Sequence, residues 1–414
     1  MNRPHSKRII QPATIASSQI RSRLMTYLML LAVFFVSAAY AVPHGPREQA
    51  KRIHDRIAGV PPSDIDLVYM ADRISDGFPL EAAERAIENS NFYNVTLKTH
   101  VSPWTNRDQS LFVPLNDYTA TVIGMVYNGA DFRDILSRNV IYTYTGTNPN
   151  VRDYDRSNNQ HYEDIEAAGI NIGDALKSND FAEDTQQSKI GIPADAAAGV
   201  MTTRTAAEAF FAAGTNRAMF RFTLLNHMCV DLEQVQDATR IPDRIRQDVS
   251  RSPGGDSRIF MNSCISCHSG MDSLAGAFAY YNFNEGSGQL EYTTDGVQEK
   301  YRINSNNFPF GYLTVDDSWK NYWRTGPNQW LGWEAGMPAE GTGAASMGRE
   351  IAHSEAFAQC HVKKVFKTVC LREPSDADDR GQISIMVGQF NQNHDLKEQF
   401  KLAAVHCMGD EAIN

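Results

Sequence analysis

Residues 262–272 read Asn-Ser-Cys-Ile-Ser-Cys-His-Ser-Gly-Met-Asp, and the fold turns on how Cys264, Cys267 and His268 are read. In an exported chain, C-x-x-C-H is the attachment signature of c-type haem. Two thiols at this spacing reach the two vinyl groups of a porphyrin, and the adjacent histidine ligates its iron. A redox dithiol is the first rival, but it normally follows a strand and opens a helix in a βαβ unit, and no such setting is visible here. Zinc is the second rival, and it wants another close Cys/His pair. Cys360-His361 is the only candidate, at a spacing that suits zinc poorly. The expectation is one covalently attached haem c, held by Cys264 and Cys267, with His268 as an iron ligand.

The rest of the chain suits that chemistry. Arg21 and Arg23 precede an apolar run from Leu24 to Val36 that ends in Ser37-Ala-Ala-Tyr-Ala41. A basic start, about a dozen apolar residues and a small-x-small end predict a secretory signal over residues 1–41, cleaved after Ala41. No later stretch approaches the roughly 18 apolar residues of a membrane helix, so the mature chain is expected in the periplasm without a membrane span. Removing the signal takes the basic residues from 39 to 34 against 49 acidic ones, a net charge of −15. That argues against nucleic acid as a partner and points to a redox partner with a basic face. No Ser-His-Asp signature, phosphate loop or His-Glu-x-x-His motif supports a hydrolase or kinase.

Hydrophobic periodicity predicts a mainly α fold. Helices are expected over Asp64–Ser75, Leu80–Ser90, Thr119–Val126, Phe132–Leu136 and Thr203–Met228, then Asp316–Arg324, Ser354–Cys370, Asp376–Asn391 and Leu396–Cys407, with Asp395 capping the last. Residues 142–184 read as a polar excursion holding a helix or two. Ser252-Pro-Gly-Gly255 breaks the chain before a short segment, 258–263, that Asp256 or Ser257 could cap. Gln289–Thr293 and Val297–Ile303 alternate around Asp295-Gly296, which predicts a β-hairpin. The expected organisation is an N-terminal helical domain (42–200), a haem-binding cytochrome-like domain with a small hairpin (201–335) and a C-terminal helical bundle (336–414).

Two resemblances sharpen this picture. Ile259-Phe260, five and four residues before Cys264, resemble the first helix of class I cytochromes c, where an aromatic at that offset packs against the C-terminal helix. More widely, Ala198–Thr203, Gly214-Thr-Asn-Arg217, Cys229, the motif itself, Phe357-Ala-Gln-Cys360 and Val365–Arg372 follow the order of the exported cytochrome-like domain series of planctomycetes and myxobacteria. That resemblance covers roughly residues 115–407 and implies a haem-bearing exported protein. Fourteen of the 41 aromatic residues fall in 278–333, including Trp319, Trp323, Trp330 and Trp333, apolar area of the kind that buries a porphyrin.

A class I cytochrome takes its sixth ligand from a loop methionine, and Met337, in Gly336-Met337-Pro338, has that setting. His227, His353 and His361 are reserve ligands, read as surface or capping residues, and an open sixth position is a further alternative. Thr325-Gly-Pro-Asn328 resembles the class I segment whose carbonyl holds the iron-bound histidine through Nδ1, and such a partner for His268 is physically required. The leading function is single-electron transfer. The alternatives are a haem enzyme, peroxidase- or oxygenase-like, with an open distal site, and a partner-binding module with a sensory or structural haem. Finally, if the last three helices alternate in direction, Cys370 and Cys407 end two parallel helices at one end of a bundle, which predicts a disulfide between them. Cys360, about 15 Å down the axis, is left for Cys229.

Overall fold

Capping residues set most of the helix boundaries. In the computed structural model, which describes residues 45–409, the fold is mainly α, with three two-stranded antiparallel sheets. The expected signal segment lies outside the described residues. None of the described helices is long and apolar enough to cross a membrane. The chain begins with α1 (Pro46–Ala58), α2 (Asp64–Ser75) and α3 (Pro79–Ile87). Ser63 caps α2 by accepting from the Asp66 N–H at 3.1 Å, and Pro79 supplies the first residue of α3, where its missing N–H costs nothing. After irregular turns comes α4 (Asp117–Tyr127), capped by Asn116 and buried along most of its length. The expected helix at 132–136 is a single 3₁₀ turn, Phe132–Leu136, ended by Ser137 outside helical φ/ψ.

The polar excursion contains two short helices, α5 (Gln160–Ala167) and α6 (Ile172–Lys177), framed by a strand pair that the sequence did not announce. Strand β1 (Ile141–Tyr144) pairs with β2 (Phe181–Asp184), Ile141 opposite Asp184. The expected single helix over 203–228 is broken into α7 (Arg204–Phe210) and α8 (Arg217–His227). Ala213, Gly214 and Asn216 between them take left-handed φ, which ends one helix before the other starts. The motif helix α9 (Ile265–Ala275) follows.

Two corrections concern the next segment. The hairpin is β3 (Tyr281–Asn284) with β4 (Gln289–Tyr292), so 289–292 pairs backwards and not forwards across Asp295-Gly296. Asn284 Oδ1 accepts from the Gly286 and Ser287 N–H groups and builds the turn. Gly288 closes it at φ 70°, where a Cβ would run into the Ser157 carbonyl. The expected helix over 316–324 is instead β5 (Ser318–Lys320), paired with β6 (Glu340–Thr342), followed by a 3₁₀ turn over Tyr322–Arg324. Trp319, Asn321 and Trp323 are buried at alternate positions, a period of two and not of 3.6.

The chain ends in α10 (Ala344–Ala352), α11 (Glu355–Cys370), α12 (Ala377–Asn393) and α13 (Leu396–His406). Ser354, Asp376 and Asp395 cap the last three. These helices close back onto the N-terminal ones. Phe92 and Phe400 meet edge to face at 5.0 Å, and Arg56 donates to the Val369 carbonyl at the end of α11. One hydrophobic core runs from Ala50 to Ala404, so the segments 42–200, 201–335 and 336–414 all contribute to it. Two disulfides tie this core, Cys229–Cys360 and Cys370–Cys407, with Cα separations of 5.2 and 5.5 Å. The helix register predicts Cys370–Cys407, and Cys229–Cys360 is the pairing it leaves over.

Candidate functional site

Asp256 starts the approach to the motif. Its carboxylate accepts from the Arg258 N–H at 2.9 Å and caps a single helical turn, Ser257–Ile259. A π-turn over Phe260–Cys264 then widens the backbone immediately before α9, an irregularity that helices often carry at functional sites. From Cys264 to Ala275 every side chain is buried except three: Cys264, Cys267 and His268. These positions are i, i+3 and i+4, so they share one strip at the start of the helix.

The rest of α9 is locked into the protein. Ser269 Oγ donates to the Asp237 carbonyl and Ser273 Oγ to that of Lys320. Met271 is buried in the main core. At Gly270 an added Cβ would collide with the Trp323 indole, so glycine is what lets that ring lie on the helix. Trp319, Trp323, Phe278 and Tyr281 all belong to the main core, where the protein itself covers them. The aromatic crowd noted in the sequence is therefore largely spent on packing. Cys264 instead joins a separate small cluster with Ile245, Phe260, Ile265 and Val249. Phe260 thus packs locally, not against the C-terminal helix as its resemblance to class I cytochromes implied. Beside it, Ile259 and Met261 are about half exposed.

Cys264 and Cys267 are free thiols, whereas the other four cysteines are all paired. Burial pushes the Cys267 thiol up. The zinc alternative loses its partner pair, because Cys360 is disulfide-bonded and His361 is buried against His227. Among the described residues no group of three or more His, Cys, Asp or Glu side chains is arranged to hold a metal ion.

His268 Nδ1 lies 3.1 Å from Asp272 Oδ1, one turn along the same helix. A carboxylate can only accept, so Nδ1 carries a proton and donates it to Asp272. This corrects the expectation that a carbonyl of 325–328 would hold the ring. That segment is occupied elsewhere: Asn328 donates to the Val235 carbonyl at 2.8 Å, and Arg240 donates to the Thr325 carbonyl.

Asp272 is fully buried and sits in a charge network. Arg217 donates to it twice, Nε to Oδ1 at 2.6 Å and Nη2 to Oδ2 at 2.9 Å, and the Arg246 backbone N–H donates to Oδ2 at 3.1 Å. Arg217 forks a second time onto Asp248, at 2.7 and 2.8 Å. Burial alone would raise the Asp272 carboxyl, but Arg217, Arg246 and the His268 hydrogen bond hold it well below the usual carboxylate range. The Gly214-Thr-Asn-Arg217 stretch is therefore more than a landmark. Thr215 binds Asp248 and Arg246, Asn216 donates to the Phe278 and Tyr281 carbonyls, and Arg217 grips Asp272.

The remaining candidates are dispersed. Met337 is half-buried in a turn where its N–H donates to the Glu334 carbonyl, and it belongs neither to the main core nor to the Cys264 cluster. His353 closes α10, with Nδ1 2.8 Å from the Arg349 carbonyl, as a capping residue should. His227 and His361, expected near the surface, are buried instead. His227 Nδ1 lies 3.2 Å from His361 Nε2, and the Tyr118 hydroxyl is 2.9 Å from His227 Nε2. Burial pushes both histidines well below their usual value. Compared with protein-family models, curated proteins and solved structures, the chain matches none.

Proposed function

We propose that the mature chain is an exported, periplasmic c-type cytochrome-like protein that holds one haem c through Cys264, Cys267 and His268 and passes single electrons to a partner protein. The observation that carries this reading is the division among the six cysteines. Four are paired in disulfides, and the two left free share with His268 the accessible strip of an otherwise buried helix. The donor set fits the group: two unpaired thiols for thioether bonds, and an imidazole whose Nδ1 is engaged by Asp272, which leaves Nε2 to bind a metal. Exposed apolar side chains at Ile259 and Met261 suit a large apolar ligand beside the motif.

When bound, the group supplies one-electron chemistry, its iron cycling between ferrous and ferric states. The chain's residues do the rest. Cys264 and Cys267 would anchor the group and His268 would ligate its iron, with Asp272 fixing the orientation of the His268 ring. Met337, set between Gly336 and Pro338, would supply a further ligand. The two disulfides suit an oxidising compartment, and the acidic charge of the mature chain suits a partner with a basic face.

The test is expression with a cytochrome maturation system followed by acid-acetone extraction. Colour should stay with the protein, and a Cys264→Ala/Cys267→Ala variant should be colourless. Native protein that carries zinc and no haem would overturn the reading.

A further inference from the structure

The most unusual feature of the motif helix is the ionised carboxylate placed against His268. A backbone carbonyl brings only a partial charge to a histidine Nδ1, whereas Asp272 brings a full one. Its position is fixed four times over: Oδ1 accepts from His268 and from Arg217 Nε, and Oδ2 from Arg217 Nη2 and the Arg246 N–H. The carboxylate lies on the same helix as His268, so no loop movement can part them. It is fully buried, and charges interact more strongly where water is excluded. The surrounding network, Asp272 and Asp248 against Arg217 and Arg246, is electrically balanced, so it keeps the carboxylate ionised without surplus positive charge.

We infer that Asp272 is a positioning residue that makes His268 a more electron-donating ligand and so sets a low reduction potential for the bound iron. This rests on the haem reading above and adds to it the direction in which the site is tuned. A hydrogen-bonded carboxylate raises the basicity of a metal-bound imidazole. A more basic imidazole stabilises ferric over ferrous iron, and hydrogen bonding around an axial ligand is an established lever on potential. Reduction adds one electron, taken from the mediator, and leaves the Nδ1 proton on His268. Asp272 therefore acts through the ligand and never meets a redox partner. The Arg246 side chain pulls the other way. Its Nη2 stands 3.9 Å from Asp272 Oδ1 and draws on the same charge.

Two variants of the haem-loaded full chain test this by potentiometric titration. Asp272→Asn keeps the size and an acceptor oxygen but removes the charge. It should shift the ferric-to-ferrous balance at least tenfold toward ferrous, about 59 mV upward for one electron. Arg246→Gln should shift the midpoint downward. The glutamine removes the charge and keeps an amide that can meet the Thr215 oxygens now held by Arg246 Nη2. A red Asp272→Asn protein with an unchanged or lower midpoint overturns the inference. If that variant does not fold, an unchanged or higher midpoint in Arg246→Gln overturns it. Wild-type protein that loses its colour on extraction sinks the haem reading instead, a result that cannot be confused with either.

Discussion

At the scale of single residues, small side-chain choices decide what the motif can do. Gly270 is the clearest case, because the Trp323 indole occupies the space of its missing Cβ. Gly270→Ala should overpack this contact and cost about 1–3 kcal/mol, read from the urea midpoint. Met337 is open to a sharper test. If it supplies the sixth ligand, Met337→Ala abolishes the weak sulfur-to-iron band of the ferric protein, whereas His353→Ala leaves it intact. A wild-type spectrum without that band, and with high-spin iron, would remove Met337 from the site and favour an enzyme with an open position. Asp272 stands four residues after His268, a spacing visible in the sequence although no helix was expected over 265–275. Its partners were not visible in this way. Arg217, Arg246 and Asp248 come together only when the segments carrying them pack on α9, and no local pattern marks a buried carboxylate as the hub of such a network.

At the scale of elements, helix starts leave the clearest local trace. Ser63, Pro79, Ser354 and Asp395 announce helix starts through their own chemistry, and the structure places boundaries there. Non-local pairing left less trace. β1 finds β2 some 40 residues later across two helices, and neither four-residue strand alternates strongly enough to stand out. Trp319-x-Asn321-x-Trp323 did carry a period of two, but aromatic residues near a polar stretch also suit a helix. The Cys370–Cys407 disulfide follows from helix direction, since α11 and α13 bring these residues to one end of the bundle. Replacing both of these cysteines with alanine should cost roughly 3–4 kcal/mol by the chain-entropy model, measured by denaturant unfolding. Non-reducing peptide mapping should recover Cys370–Cys407 and Cys229–Cys360. A Cys360–Cys407 crosslink would contradict the helix register.

At the scale of the whole molecule, the shared core carries a cost in acid. Burial pushes His100 down to about 3, and His227 and His361 also lie well below their usual value. These residues are neutral when folded and bind protons near 6.5 when unfolded. The unfolded chain then holds more protons at every pH between the two values. The stability from keeping them neutral is fully present above 6.5 and is lost as pH falls below it, for His100 down to about 3, by up to about 1.4 kcal/mol per pH unit for each group. Denaturation at pH 7, 6 and 5 should show this slope, and His100→Gln should flatten it. Lys364, drawn down to about 7 by burial, works the same way in an alkaline window, so stability should rise from pH 7 to about 10.5. Lys364→Met should reduce that rise.

The central claim is covalent attachment at residues 264–268, and the mass of the denatured, matured chain tests it most directly. The account predicts the mature chain plus one haem, recovered on the peptide containing Cys264, Cys267 and His268, with neither of these thiols open to alkylation. A bare chain mass with both thiols alkylated after full maturation would contradict it.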